Sequence, residues 1–204
     1  MSSPGSEPTR APAVGREAPT VRPAVPADDV TGAICTAFGE AGDQVAAIWS
    51  DLVREGLVLG SIVAEVDGAV VGHVGLSPAW LDARRELVDV WLLSPLSVAP
   101  DWQRQGIGTR LLEAAIDTAA AADAPLLFLE GDPVYYGRRG FARASVHGFG
   151  APSERTPDAA FQVARLSAHQ DWMTGRVVYR DVWWHHDAAG LRDPLLAELE
   201  KELE

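Results

Sequence analysis

Hydrophobic positions along the chain switch between two periods, and each switch marks a change of element. Val21 to Val25 reads as a short strand. Pro26-Ala27-Asp28-Asp29 then supplies an acidic helix start, and Val30, Ile34, Ala37 and Phe38 recur behind it at helical spacing. A second helical pattern follows Gly42-Asp43, with Val45, Ile48, Trp49, Leu52 and Val53 on one face and a stop at Gly56. The period then drops to two. Ser61 to Val66 and Ala69 to Leu76 read as strands joined by an Asp67-Gly68 hairpin turn. Val88 to Val98 is a longer extended run, and Ser94-Pro95 inside it removes a ladder donor, which predicts a bulge or a break in pairing. Leu111, Leu112, Ala115, Ile116 and Ala119 make the buried face of a helix that ends at Ala124-Pro125, with Arg110, Glu113 and Asp117 turned away. Leu126 to Leu129 reads as a short buried strand, a short helix follows, and further strands fall near Phe161 to Leu166 and Gly175 to Tyr179. This order predicts an α/β (α+β) domain built on a mixed sheet.

The two ends differ from this. Residues 1–20 are Ser, Pro, Gly and charge with almost no bulky apolar side chain, so they cannot offset the entropy of ordering and are expected to form a disordered tail. The folded domain is expected over 21–184, and residues 185–204 as an acidic extension, helical or frayed.

Composition narrows the function classes. A chain of 204 residues, 47% hydrophobic and 23% charged, is long enough to bury a core without a covalent staple. Its one cysteine, Cys35, excludes an intrachain disulfide framework and all-Cys metal sites, which makes a reducing cytoplasm the simplest compartment. Cys35 itself reads as a buried structural thiol in a helix. The net charge of −12 has the wrong sign for a protein that works on nucleic acid or anionic membranes. No apolar run approaches the roughly 20 residues of a membrane helix, and residues 1–20 lack the apolar core of a signal peptide.

The chemistry is concentrated in the stretch from Leu96 to Leu112 (LSVAPDWQRQGIGTRLL). A strand runs out, turns at Pro100, and feeds a Gly-flanked loop directly into a helix. The first helical turn has N–H groups without internal partners and the positive end of the macrodipole, so it forms an anion seat suited to phosphate or pyrophosphate. A P-loop would need a lysine after the loop, and the chain's only lysine is Lys201. A dinucleotide-binding turn would need a third glycine where Leu111 stands. Glycines that merely permit a tight turn remain the plain alternative for Gly106 and Gly108.

Three features together go further. Gln103-x-x-Gly106-x-Gly108 sits between a Leu-Ser-Val strand and an amphipathic helix. Tyr135-Tyr136-Gly137-Arg138-Arg139-Gly140-Phe141 follows downstream, and the Asp67-Gly68 hairpin with Val71-Gly72-His73-Val74 precedes. This pattern resembles the GNAT-type N-acetyltransferases, and Glu130-Gly131-Asp132-Pro133-Val134-Tyr135-Tyr136 resembles their YhbS-like bacterial branch; the resemblance spans about Val21 to Tyr179.

The resemblance implies a mostly antiparallel mixed sheet, splayed at the cofactor strand and covered by helices on both faces. It implies acetyl-CoA as co-substrate, without a metal, and transfer of the acetyl group to a primary amine, expected to be a small molecule, by direct attack in a ternary complex. Main-chain groups of Leu96, Ser97 and Val98 would hold the pantetheine arm. The loop of Gln103, Arg104, Gln105, Gly106, Ile107, Gly108 and Thr109 would cradle the pyrophosphate, with Tyr135 beside the cofactor and Arg138-Arg139 near its helix. Tyr136 takes the place of the general acid that protonates the leaving thiolate. Glu130 is the candidate base, with a solvated strand-end carboxylate as the other reading; His73 reads as a core histidine that could also reach the cleft. A non-catalytic acyl-CoA-binding module is the alternative function, and a homodimer is left open by the several ways in which family members pair.

Two further clusters carry no chemistry in this reading. His185-His186-Asp187, taken as neighbours on a strand, would point to opposite faces and lack a third spaced ligand. Trp172, Trp183 and Trp184 are expected to pack against the sheet.

Overall fold

The computed structural model describes residues 18–190, so the expected helix at Pro194 to Glu200 and most of the expected tail lie outside the described residues. The first strand, β1 (Thr20–Pro23), pairs antiparallel with β2 (Gly60–Val66) and so begins one residue inside the span expected to be tail. Between them lie α1 (Val30–Phe38) and α2 (Gly42–Arg54), joined by a single 3-10 turn. Asp29 caps α1 by accepting a hydrogen bond from the Gly32 N–H at 2.8 Å, as the acidic start predicted. In α2, Ile48, Trp49 and Leu52 are buried, but Val53 lies outside the apolar stripe and is 55% exposed.

The hairpin at Asp67-Gly68 leads into β3 (Ala69–Ala83), which runs seven residues past the expected end at Leu76. Its first part pairs with β2, and Ala79 to Ala83 pair instead with β9 (Gly175–Tyr179). That change of partner explains why the hairpin pattern alone marked only the first part. Strand β4 (Leu87–Val98) runs back along β3 from Asp82 to Gly72. Val74 pairs with Leu96 and Leu76 with Leu93, so Ser94 and Pro95 together face Gly75, which is the bulge the proline predicted. Gly75 also makes room for α2: a Cβ there would lie 2.3 Å from the Trp49 ring.

Helix α3 (Ile107–Ala121) follows β4 and buries Ile107, Leu111, Leu112, Ala115 and Ala119. The chain re-enters the sheet as β5 (Leu126–Glu130), continues through α4 (Pro133–Gly137), the two-residue strands β6 (Ala142–Arg143) and β7 (Phe149–Gly150), and β8 (Phe161–Arg165), and after β9 ends in α5 (Asp181–His185). The main strand order is β1-β2-β3-β4-β5-β8-β6, and every pairing is antiparallel except β4 with β5 and β7 with β9.

Two cores cover the two faces. One packs α3 against Ile62, Ala64, Val74, Leu127 and Leu129. The other packs α1, α2 and α5 against Leu81, Val90, Leu92, Leu126 and Phe128. Period-two alternation therefore divides β5 between them and places Glu130, in step with Leu126 and Phe128, on the α1–α2–α5 face.

Candidate active site

Strands β4 and β5 pair only at Trp91–Leu127 and Leu92–Phe128. Beyond Leu92 they diverge, because β4 bulges at Ser94-Pro95 while β5 ends at Glu130. A cavity of about 670 Å³ opens in the fork. Its α3 side is lined by Leu96, Val98, Gln103, Gly108 and Tyr135, and its far side by residues of α1, α2 and α5, with Glu130 and Tyr136 between.

At the α3 side the binding groups are main-chain atoms. Arg104 and Gly106 both have positive φ, at 59° and 82°, so the loop reverses twice within three residues and turns into the helix. The first intrahelical bond runs from the Arg110 N–H to the Gly106 carbonyl at 3.1 Å, which leaves the Ile107, Gly108 and Thr109 amides without helical acceptors. Gly106 is open, with nothing within 4 Å of where a Cβ would stand. Gly108 is not: a Cβ there would lie 2.6 Å from the Tyr135 hydroxyl. The two glycines thus do different work, one exposing amides and the other admitting a tyrosine.

The remaining loop side chains brace it. Gln103 Nε2 donates to the Val98 carbonyl and Gln105 Nε2 to the Asp101 carbonyl, each at 3.0 Å. Ile107 is buried in the core, so only its main chain is available at the surface. Ser97 is also buried and its hydroxyl donates to the His73 carbonyl, while the Leu96 to Val98 edge on the β5 side faces the cavity rather than a strand. Arg139 ties α4 to α3: its Nε donates to Thr109 Oγ1 at 2.9 Å, its Nη1 to the Tyr135 carbonyl at 2.6 Å, and its guanidinium lies 3.8 Å from the Tyr135 ring centroid. Arg104 is exposed beside the open amides and is not among the residues lining the cavity.

Tyr136 packs edge-on against Tyr135 and Phe141, at centroid distances of 4.9 and 5.9 Å. Burial is the main cause that pushes its phenol pKa up, with the neighbouring Tyr135 and Asp132 adding to it, so the hydroxyl keeps its proton across the neutral range. Glu130 Oε1 accepts a hydrogen bond from the Tyr179 hydroxyl at 2.9 Å. Tyr179 is itself buried, and desolvation holds it protonated and able only to donate to the carboxylate. His73 does not line the cavity. Its Nε2 lies 3.0 Å from Ser61 Oγ, its ring meets Trp49 edge-on at 4.6 Å, and desolvation pushes its pKa down to about 3. It is a neutral core histidine, with Nδ1 buried and unpaired.

Residues 33–149 match the acetyltransferase (GNAT) family. The chain belongs to that family. Among its relatives in Escherichia coli K12, the uncharacterized N-acetyltransferase YjhQ is 29% identical over 69% of this chain and 78% of its own length. The uncharacterized N-acetyltransferase YhbS is 30% identical over 68% of this chain and 83% of its own. The solved structure of the Escherichia coli GNAT protein YhbS in complex with CoA superposes with a TM-score of 0.73 and 28% identity, covering 81% of this chain and 91% of that one. A GNAT acetyltransferase from Brucella melitensis in complex with acetyl-CoA gives 0.66 and 26%, over 81% and 98%. The fold is the one the resemblance implied: a mixed, mostly antiparallel sheet, forked at β4 and β5, with helices on both faces.

Several features of this GNAT site carried no local signal in the sequence. Tyr179 stands 49 positions from Glu130 and reaches it only because β9 joins β3. Residues 185–187 are not strand neighbours: His185 ends α5, the His186 ring bonds Asp51 at 2.9 Å, and Asp187 pairs with Arg155. Trp183 is buried as expected, but Trp184 is 42% exposed, since consecutive helical residues point in different directions. Cys35 is half-buried rather than buried, with Sγ 3.8 Å from Asp43 Oδ1. Among the described residues no helix is long and apolar enough to cross a membrane.

Proposed function

We propose that this chain transfers the acetyl group of acetyl-CoA to a primary amine by direct attack within a ternary complex. The observation that carries the reading is the fork between β4 and β5, which brings an open strand edge, a run of unpartnered helix-start amides, a protonated tyrosine and a carboxylate onto one cavity.

An acyl-carrying nucleotide thiol fits these groups. The diphosphate meets the amides of residues 104–109 at the positive end of α3, with Arg104 adding charge. The pantetheine arm lies along the main chain of Leu96, Ser97 and Val98 like an added strand, bounded by Tyr135. Gln103 and Gln105 act through the loop they brace.

Glu130, oriented by Tyr179, takes a proton from the ammonium form of the acceptor. The neutral nitrogen then attacks the thioester carbonyl carbon, a C–N bond forms, and the C–S bond breaks. Tyr136 gives its proton to the departing sulfur and recovers one from the nitrogen through solvent. Glu130 returns its proton to water, so each turnover yields the amide, the free thiol and one proton. The test is thiol release from acetyl-CoA across a panel of amines. Amine-dependent release is expected; release with none of them, from protein that still binds CoA, overturns the transfer reading.

A further inference from the structure

We infer that the acceptor is a small primary amine with one apolar body and no carboxylate, its ammonium at Glu130 and its body against α1, α2 and α5. The inference rests on the acetyl-transfer reading for which end of the cavity takes the acceptor.

The end of the cavity away from α3 is walled by Phe38 from α1, Val45 and Ile48 from α2, and Trp183 from α5. These are fixed surfaces. Ile48 and Trp183 belong to the core, and the Trp183 ring packs on Tyr179 at a centroid distance of 5.9 Å. Against these four side chains free energy is gained by covering apolar atoms, and hydroxyls or a second ammonium set there lose water. The polar groups at the same end are already engaged, Gln44 with the His186 carbonyl at 3.3 Å and Asp187 with Arg155.

Charge selects further. Among the described residues, those lining the cavity include three carboxylates, Glu130, Asp132 and Asp187, and no lysine, arginine or histidine. Asp132 caps α4 by accepting from the Val134 N–H at 2.8 Å, and Asp187 holds Arg155 outside the cavity. Glu130 is the carboxylate placed beside the tyrosine pair, where an ammonium would be both bound and deprotonated. A carboxylate on the acceptor would enter a site that offers it only like charge, which costs far more than the contact gains.

The test compares phenethylamine with phenylalanine, cadaverine and glucosamine. These add a carboxylate, a second ammonium and a ring of hydroxyls respectively. Binding to the CoA-loaded protein is measured by calorimetry, and thiol release from acetyl-CoA is measured separately. Phenethylamine is expected to bind at least about tenfold more tightly than each of the others, the scale at which a pocket discriminates small changes in apolar content. Val45→Glu is expected to cancel that preference while CoA binding is retained. The predicted ranking without thiol release at saturation would uphold this inference and sink the transfer reading. Thiol release with any other ranking would sink this inference and leave transfer standing. Binding of none of the amines, or a ranking that Val45→Glu leaves unchanged, would also overturn it.

Discussion

At its α3 end the cavity is built from main-chain groups supplied by one contiguous loop. At the α1–α2–α5 end it is built from side chains gathered across the chain, as the bond from Gln44 to the carbonyl of His186, 142 positions away, illustrates. The first end depends on glycines and a helix start, a combination suited to an anion such as a phosphate. The second depends on which apolar residues happen to meet above Glu130. A family can therefore keep the first end and change the second, so that shared recognition of one co-substrate coexists with divergent acceptors.

This contrast can be broken in graded steps. Tyr136→Phe removes the proposed acid without touching either wall, and kcat is expected to fall roughly 10²–10⁴-fold, with CoA affinity retained; unchanged turnover would remove Tyr136 from the mechanism. Tyr179→Phe leaves Glu130 without its buried donor. A hydrogen bond to a charged group is worth about 1.5–3 kcal/mol, so kcat is expected to drop roughly tenfold or more with the KM for acetyl-CoA unchanged. A rise in that KM alone would show that Tyr179 serves the wrong end. Gly106→Ala forces a Cβ into a residue with φ of 82°, at a cost of about 1–2 kcal/mol. It is expected to weaken CoA binding about tenfold while leaving the ranking of acceptors intact.

The smallest effect on turnover lies beneath the acceptor wall, where His73 supports Trp49 of α2. Its folded pKa of about 3 lies below the ordinary 6.5, so the unfolded chain takes up a proton that the native protein refuses. Stability should therefore decline as pH falls from 6.5 toward 3, by at most about 1.4 kcal/mol per pH unit from this group. His73→Gln is expected to flatten that part of the denaturation profile, and an unchanged slope would contradict the buried neutral assignment.

The same contrast explains what the sequence disclosed. Elements with a clear period were legible: α1 with its Asp29 cap, α3 with its buried stripe, and the bulge at Ser94-Pro95. So was the turn of residues 103–109 into α3, because that loop is contiguous and its Gln-x-x-Gly-x-Gly spacing needs no tertiary information. Glu130 could be named but not explained, since its partner Tyr179 arrives on a strand whose pairing with β3 no local pattern encodes. Helix α5 was missed for a related reason. A five-residue segment has too few turns to display a period, and its place is fixed by Trp183 entering the core and His186 meeting Asp51.

The central claim is that main-chain amides at the start of α3 grip a diphosphate. Amide-resolved NMR during a CoA titration tests it most directly. The account predicts that the largest and saturable shifts fall on the N–H groups of residues 104–109, with a second set along Leu96 to Val98. Saturable binding that leaves those amides unmoved and perturbs another surface, or no binding at all, would contradict it.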